Sequence, residues 1–252
     1  MMINTPKIRL YIDDNIETEQ IITLNEKQSH YLVKVMRLNI SDLVLLFNGR
    51  DGEWVSEIKS FEKKSVVLKL VKCIRIQEEQ TNLWLAFAPI KRGRIDLIAE
   101  KATELGVSRL IPVITAHTQT TKVNTARLRA NANEAAEQCN RLTVPEIIEP
   151  ISLKNFLSSW PLGRILLVAD ETGGGAPILD IIGRSGRKEN TAYTLLVGPE
   201  GGFSSEELDE LSKLPFVTKI DLGPRVLRAE TAVVAAISVI QAVSGDWQND
   251  KV

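Results

Sequence analysis

From residue 83 onward, short aliphatic runs alternate with segments whose apolar residues recur at helical spacing, and this rhythm restricts the fold more than any other feature of the chain. The runs 83–88, 110–114, 165–169, 193–197 and 217–222 read as strands, with a shorter extended stretch at 146–148. Between them, helices are expected over 95–105, 125–141, 153–159, 206–214 and 230–243. Gly106 is placed to end the first of these, whose apolar face is Leu97, Ile98, Ala102 and Leu105. Ser204 and Glu207 form an S-x-x-E capping box ahead of the fourth. Strands that are apolar on both faces and separated by helices imply a mostly parallel sheet covered on both sides, an α/β fold. The last helix is apolar nearly all round, through Val233, Val234, Ile237, Val239, Ile240 and Val243. It is too short to span a bilayer, so it is expected to be buried in a core or against a second subunit.

The preceding part reads differently. Residues 1–75 offer short strands at 9–12, 20–24, 43–47, 53–58 and 66–73, which suits a small β-barrel or sandwich. Asn48-Gly49 and Asp51-Gly52 fall between two apolar strands and signal a hairpin, because these residues tolerate positive φ. A helix over 26–36 is expected to interrupt the strands, burying Tyr31, Leu32, Val35 and Met36 and presenting His30, Lys34 and Arg37. A polar link at 77–82 places a domain boundary near residue 76, dividing the chain into 1–75 and 76–252.

With 31 basic against 32 acidic residues, general attraction to a polyanion is excluded, and any nucleic-acid contact must come from local clusters. Three candidates are Arg9 with Lys34 and Arg37, then Lys91 with Arg92 and Arg94, and finally Arg127, Arg129 and Arg141 on one expected helix. Ordinary solvated surface charge explains each cluster taken alone equally well. The two cysteines, Cys73 and Cys139, form no C-x-x-C pair, so neither a disulfide framework nor a metal site is expected, and both read as small buried side chains. No apolar run is long enough for a membrane span and the N-terminus has no secretion-signal pattern, so a cytoplasmic location is expected.

Loops leaving the carboxyl ends of parallel strands carry ligand sites, and three here are rich in glycine: 170–175 (DETGGG), 198–202 (GPEGG) and 222–229 (LGPRVLRA). Glycine lets backbone groups meet a ligand directly, while Pro199 and Pro224 stiffen their loops in advance. A phosphate cradle is the rival reading. No loop has G-x-x-x-x-G-K-[ST] or G-x-G-x-x-G spacing, so nucleoside triphosphates and dinucleotides lose ground to a flat heterocycle.

The segments HYLVKVMRL, EKATELGV, EAAEQCNR with the following PEI, LLVGPEGGFSSEE and LGPRVLRAETA resemble, in the same order, those of the bacterial 16S rRNA uridine-N3 methyltransferase family (RsmE) of the SPOUT superfamily. The resemblance implies a PUA-like RNA-binding barrel, a SPOUT-type parallel sheet with a C-terminal trefoil knot, a homodimer, and S-adenosylmethionine as the only cofactor. A knot contradicts the usual rule against threaded chains and rests on the resemblance alone. The resemblance further implies that Ala169, Glu171, Val197, Gly198, Pro199, Gly202, Ile220, Leu222, Gly223, Leu227 and Ala229 line the cofactor, although DETGGG is more acidic than the corresponding family segment. The implied substrate is 16S rRNA in the small ribosomal subunit, with RNA contacts expected from Arg9, His30, Lys34, Arg37, Lys91, Arg92, Arg94 and Arg141.

Uridine N3 carries a proton at neutral pH, so methylating it calls for a carboxylate base and a cation near the flanking carbonyl oxygens. Glu200, Glu230 and Arg228 are the candidates. Their structural alternatives stay open: acidic side chains favour helix starts, and Arg228 could pair with either glutamate. His30 and His117 fall outside the glycine loops, and neither is expected to act as a base. Two other functions remain in play, ribose 2′-O-methylation by a related enzyme and RNA binding without catalysis.

Overall fold

The computed structural model describes residues 6–91, 93–184 and 191–248. The chain divides into two compact units, Met1–Glu79 with Ala136–Val144, and Gln80–Ala135 with Pro145–Val252.

In the first unit, β1 (Arg9–Tyr11), β2 (Ile21–Thr23), β3 (Leu43–Phe47), β4 (Glu53–Phe61) and β5 (Val66–Arg75) form a sheet in the order β1-β3-β4-β5-β2. Only β1 and β3 run parallel. Alternate residues such as Leu46, Ile58, Leu68 and Leu70 turn into one core. The expected hairpin joins β3 to β4. Its Gly49 and Gly52 both have φ of 79°, and Asn48 Oδ1 accepts hydrogen bonds from the backbone of Arg50 and Asp51. A Cβ at Gly52 would lie 2.2 Å from the Arg75 carbonyl oxygen, so no other residue fits there.

Three expectations for this unit are corrected. The helix α1 (Glu26–His30) continues only as a π-helical turn over Tyr31–Val35, and its wider winding shifts the apolar stripe. Leu32 is fully buried, but Val35 and Met36 are 58% and 39% exposed instead of facing the core. Both cysteines are exposed. Arg9, expected on an RNA surface, is buried: Nε donates to Glu53 Oε1 at 2.5 Å, and the remaining guanidinium nitrogens reach the carbonyls of Ala136, Glu137 and Arg141. The segment 136–144 belongs to this unit because Ala136 and Leu142 pack with Phe47.

The second unit holds β6 (Leu83–Phe87), α2 (Arg94–Glu104), β7 (Arg109–Ile114), α3 (Thr125–Gln138, its last turn lying in the first unit), β8 (Glu146–Ile147), β9 (Ile151–Ser152), α4 (Leu153–Ser158), β10 (Ile165–Ala169), β11 (Ala176–Pro177), α5 (Ile178–Arg184), β12 (Tyr193–Val197), α6 (Ser205–Ser212), β13 (Val217–Asp221) and α7 (Ala229–Ser244). The strands pair in parallel in the order β11-β13-β10-β12-β6-β7-β8, with β9 beside β7. This is the parallel sheet that the alternating pattern calls for. Its central strands are inaccessible: Leu85, Leu166, Leu167, Leu195 and Leu196 have no exposed surface, each contributing roughly 1.5–3 kcal/mol on burial.

The expected caps are present. Gly106 follows α2 with φ of 86°, and the Ser204 and Glu207 box is closed in both directions. The helix expected over 125–141 stops at Gln138, where Asn140 turns left-handed with φ of 62°. Arg141 therefore lies outside the helix, its Nε bonded to Thr143 Oγ1. On α7 the buried face is Ala229, Ala232, Val233, Ala236, Ile237 and Ile240, while Val234 stays 36% exposed. Among the described residues, no helix is long and apolar enough to cross a membrane, and no group of three or more metal-binding side chains is assembled.

Candidate active site

Because β13, β10 and β12 are parallel neighbours, Asp221, Ala169 and Val197 end them on the same edge of the sheet. The three glycine loops leave from these ends and enclose a cavity of about 700 Å³, within the range of roughly 300–1,000 Å³ usual for small-molecule sites. Ala169, Glu171, Val197, Gly198, Pro199, Ile220, Leu222, Gly223, Leu227 and Ala229 all line it, with Glu200 and Arg228. Gly202 does not. It is buried with φ of 69°, a left-handed backbone that favours glycine, and the Glu171 carboxylate occupies the space a Cβ would take. Two further glycines permit similar approaches. A Cβ on Gly175 would meet the Ile220 backbone at 2.5 Å, and one on Gly198 the Phe203 ring at 2.9 Å.

Asp170 organises the first loop. Its Oδ1 accepts from the Thr172 backbone N–H at 2.9 Å and from Oγ1 at 2.6 Å, and Lys219 Nζ lies 3.4 Å from Oδ2. Burial alone would push this carboxyl up, but the Thr172 hydrogen bonds and the Lys219 charge outweigh it and hold it below the ordinary carboxylate value.

Among the candidate catalytic groups, Arg228 does not make the glutamate pairing that is its structural alternative. Arg94, at the start of α2, takes that position: Nη1 donates to Glu200 Oε1 at 2.5 Å and Nε lies 3.6 Å from Glu230 Oε1. Glu230 sits in the first turn of α7, and its buried Oε2 has no hydrogen-bond partner among the described residues. Arg228 is the extended N-cap of α7, exposed at the cavity and without an ion-pair partner among the described residues. Its side chain makes no capping bond, so no side chain at the N-cap covers the first N–H groups of α7.

His117, expected to stand apart from the glycine loops, is brought against one of them. Nδ1 is 3.0 Å from the Gly201 oxygen and 3.1 Å from the Gly202 oxygen, and since carbonyls only accept, Nδ1 carries the hydrogen. No spacing in the chain ties positions 94 or 117 to 198–202; parallel pairing of β12 with β6, and of β6 with β7, makes them neighbours.

The expected RNA contacts separate in the same way. His30, Lys34, Arg37 and Lys91 are exposed, and Arg37 has φ of 55°. Arg9 is buried, Arg94 is held by two carboxylates, Arg141 bonds to Thr143, and Arg92 lies outside the described residues.

A sequence model of the RNA methyltransferase domain matches residues 77–241, and one of the RNA methyltransferase PUA domain matches residues 24–71. A curated relative from Rickettsia conorii, ribosomal RNA small subunit methyltransferase E, is 34% identical over 92% of this chain and 94% of its own length. A solved methyltransferase from Legionella pneumophila, in complex with bound cofactor SAM, superposes with a TM-score of 0.82 at 29% identity, covering 95% of this chain and 98% of that one. The fold is shared with a ribosomal RNA small subunit methyltransferase E from Neisseria gonorrhoeae, at a TM-score of 0.83 and 24% identity over 96% of this chain and 99% of that one.

Proposed function

The chain belongs to the RNA methyltransferase family that includes the curated ribosomal RNA small subunit methyltransferase E proteins, and from that premise we propose that it transfers a methyl group from S-adenosylmethionine to N3 of a uridine in 16S rRNA. The observation that carries the reading is the cavity at the ends of β10, β12 and β13, lined by every residue expected to hold the cofactor except Gly202. Gly173, Gly198, Gly201 and Gly223 leave main-chain groups at the cavity wall without a covering side chain, which suits a site that reads a nucleoside through main-chain groups. The apolar Ala169, Val197, Ile220, Leu222, Leu227 and Ala229 would hold the adenosine, and the uncapped start of α7 favours negative charge at the rim.

Bound S-adenosylmethionine supplies an electrophilic methyl group on its sulfonium. The protein's task is then to orient uridine N3 and take its proton. Glu200 and Glu230 are the two candidate acceptors: Glu200 lines the cavity and receives the Arg94 guanidinium at Oε1, whereas Glu230 lies off the lining with a buried Oε2 that has no hydrogen-bond partner among the described residues. Arg228, exposed at the cavity and without an ion-pair partner among the described residues, stabilises the negative charge that spreads to the uracil carbonyl oxygens as the proton leaves.

The same reading makes residues 1–75 the PUA-like RNA-binding domain and 76–252 the methyltransferase domain. His30, Lys34 and Arg37 form one RNA contact and Lys91 another. The enzyme acts as a cytoplasmic homodimer. The exposed Leu97 and Val234, apolar residues on α2 and α7, support the dimer, to be checked by sedimentation. The trefoil knot is part of this reading and rests on the family resemblance.

The test is incubation with labelled S-adenosylmethionine and small subunits lacking the endogenous modification, followed by reverse transcription. N3 methylation removes a Watson–Crick donor and halts the polymerase, whereas a ribose methyl does so only weakly. Label without a strong stop would point to the ribose, and no label on bound substrate would rule out an enzyme.

A further inference from the structure

The geometry points to Arg94 and His117 as positioning residues of the cofactor site, two side chains from outside the glycine loops that together hold the segment 198–202 in its receiving shape. This rests on the cofactor reading above.

The segment needs such support. Three of its five residues are glycine, the residue that loses most conformational freedom on ordering, and its internal bond is the turn from the Gly202 N–H to the Pro199 oxygen at 3.0 Å. A ligand that had to order this loop on binding would lose affinity in proportion to the rarity of the competent shape.

Two anchors remove that cost, one on the Glu200 side chain and one on the Gly201 and Gly202 carbonyls. Arg94 takes Glu200 at 2.5 Å and is itself steadied by Glu230, 3.6 Å from its Nε. Its carrier α2 is rigid, with Ile95, Ile98 and Ala99 buried beneath the first turns. His117 grips the carbonyls of Gly201 and Gly202, and a Cβ at Gly201 would already touch the His117 Cβ at 3.4 Å. The turn bearing His117 is fastened in its own right: the Thr115 N–H donates to Thr118 Oγ1 at 2.9 Å. The Ala116 N–H donates to Glu207 Oε1 at 2.8 Å, while Glu207 Oε2 accepts from the Ser204 N–H, just past the glycine segment. Neither Arg94 nor His117 lines the cavity, so each acts through the loop. Parallel pairing of β12, β6 and β7 brings the two anchors to one edge, Arg94 from beyond β6 and His117 from beyond β7.

The experiment measures S-adenosylmethionine binding by calorimetry, RNA affinity, and amide exchange of residues 198–203, for wild type, Arg94→Ala, Arg94→Lys, His117→Ala, Glu200→Gln and the Arg94→Ala, Glu200→Gln double variant. Expected are about five-fold weaker binding in Arg94→Ala, partial recovery in Arg94→Lys, and faster exchange in both alanine variants, with melting temperatures nearly unchanged because the Arg94 pair is half-exposed. Arg94→Ala combined with Glu200→Gln should bind no more weakly than Arg94→Ala alone, since one contact is lost in either case. Unchanged affinity and exchange in both alanine variants would overturn the assignment, as would a loss confined to RNA affinity in Arg94→Ala. A wild type that binds no S-adenosylmethionine would overturn the cofactor reading and this assignment together, whereas a binding wild type with unchanged variants overturns this assignment alone.

Discussion

Replacing Arg9 by alanine separates a structural cation from an RNA contact. Arg9 and Glu53 meet at 2.5 Å with side chains 5% and 4% exposed, and the guanidinium also bonds the carbonyls of Ala136, Glu137 and Arg141 and lies 4.4 Å from the Phe47 ring centre. Removing it strands the Glu53 carboxylate in the interior and leaves three carbonyls without that donor. Breaking one side of a buried pair costs about 3–5 kcal/mol, and Arg75, 3.7 Å from Glu53 Oε2, can recover only part of it. We expect Arg9→Ala to destabilise the first unit by about 3 kcal/mol, read by urea unfolding with amide exchange followed on β3, β4 and β5. Arg9→Met with Glu53→Leu should be markedly less damaging, since no charge is then left buried. At a temperature where the variant stays folded, RNA affinity and its salt slope should match wild type. A stable Arg9→Ala protein that binds RNA more weakly would refute the structural role.

Other outcomes follow from the same geometry. Arg228→Ala should lower kcat by about 10²–10³-fold while leaving S-adenosylmethionine affinity within a few-fold, and lost cofactor binding would make Arg228 a structural residue. Gly198→Ala forces a methyl to within 2.9 Å of the buried Phe203 ring and should cost about 1–3 kcal/mol of stability, with weaker cofactor binding by calorimetry. Changing Lys34 and Arg37 together to alanine should weaken RNA binding and reduce the salt slope by about one per lost phosphate contact. Asp170 has its carboxyl held low in the folded state, so it adds stability above its ordinary value of 3.8 and loses it as pH falls through the lower folded value. Asp170→Asn should therefore unfold at lower urea than wild type at pH 7, with the gap closing on acidification.

The two halves were legible to different degrees. Strands such as Ile165–Ala169 and Tyr193–Val197 are found where the sequence places them, because a strand buried on both faces has only one composition. The capping box at Ser204 and Glu207 and the glycine ending α2 were equally plain, since each satisfies backbone groups within a few residues. Misreadings came where a local signal had two outcomes. The apolar Val35 and Met36 suit a buried α-helical face, yet one π-helical turn rotates them to solvent. Basic residues look alike in one dimension: Arg9, Arg37 and Arg94 end respectively in an interior ion pair, on an open surface and between two carboxylates.

Which residues line the cavity was implied by the family resemblance, whereas the sequence by itself determined the alternating parallel architecture and the three glycine loops. These depend on period, composition and the missing Cβ, which are properties of neighbours along the chain. Tertiary structure alone decided which charges are spent on one another. That Arg94 meets Glu200 across 106 positions and His117 meets Gly201 across 84 depends on strand pairing, and ion pairs and carbonyl contacts leave no periodic trace in sequence.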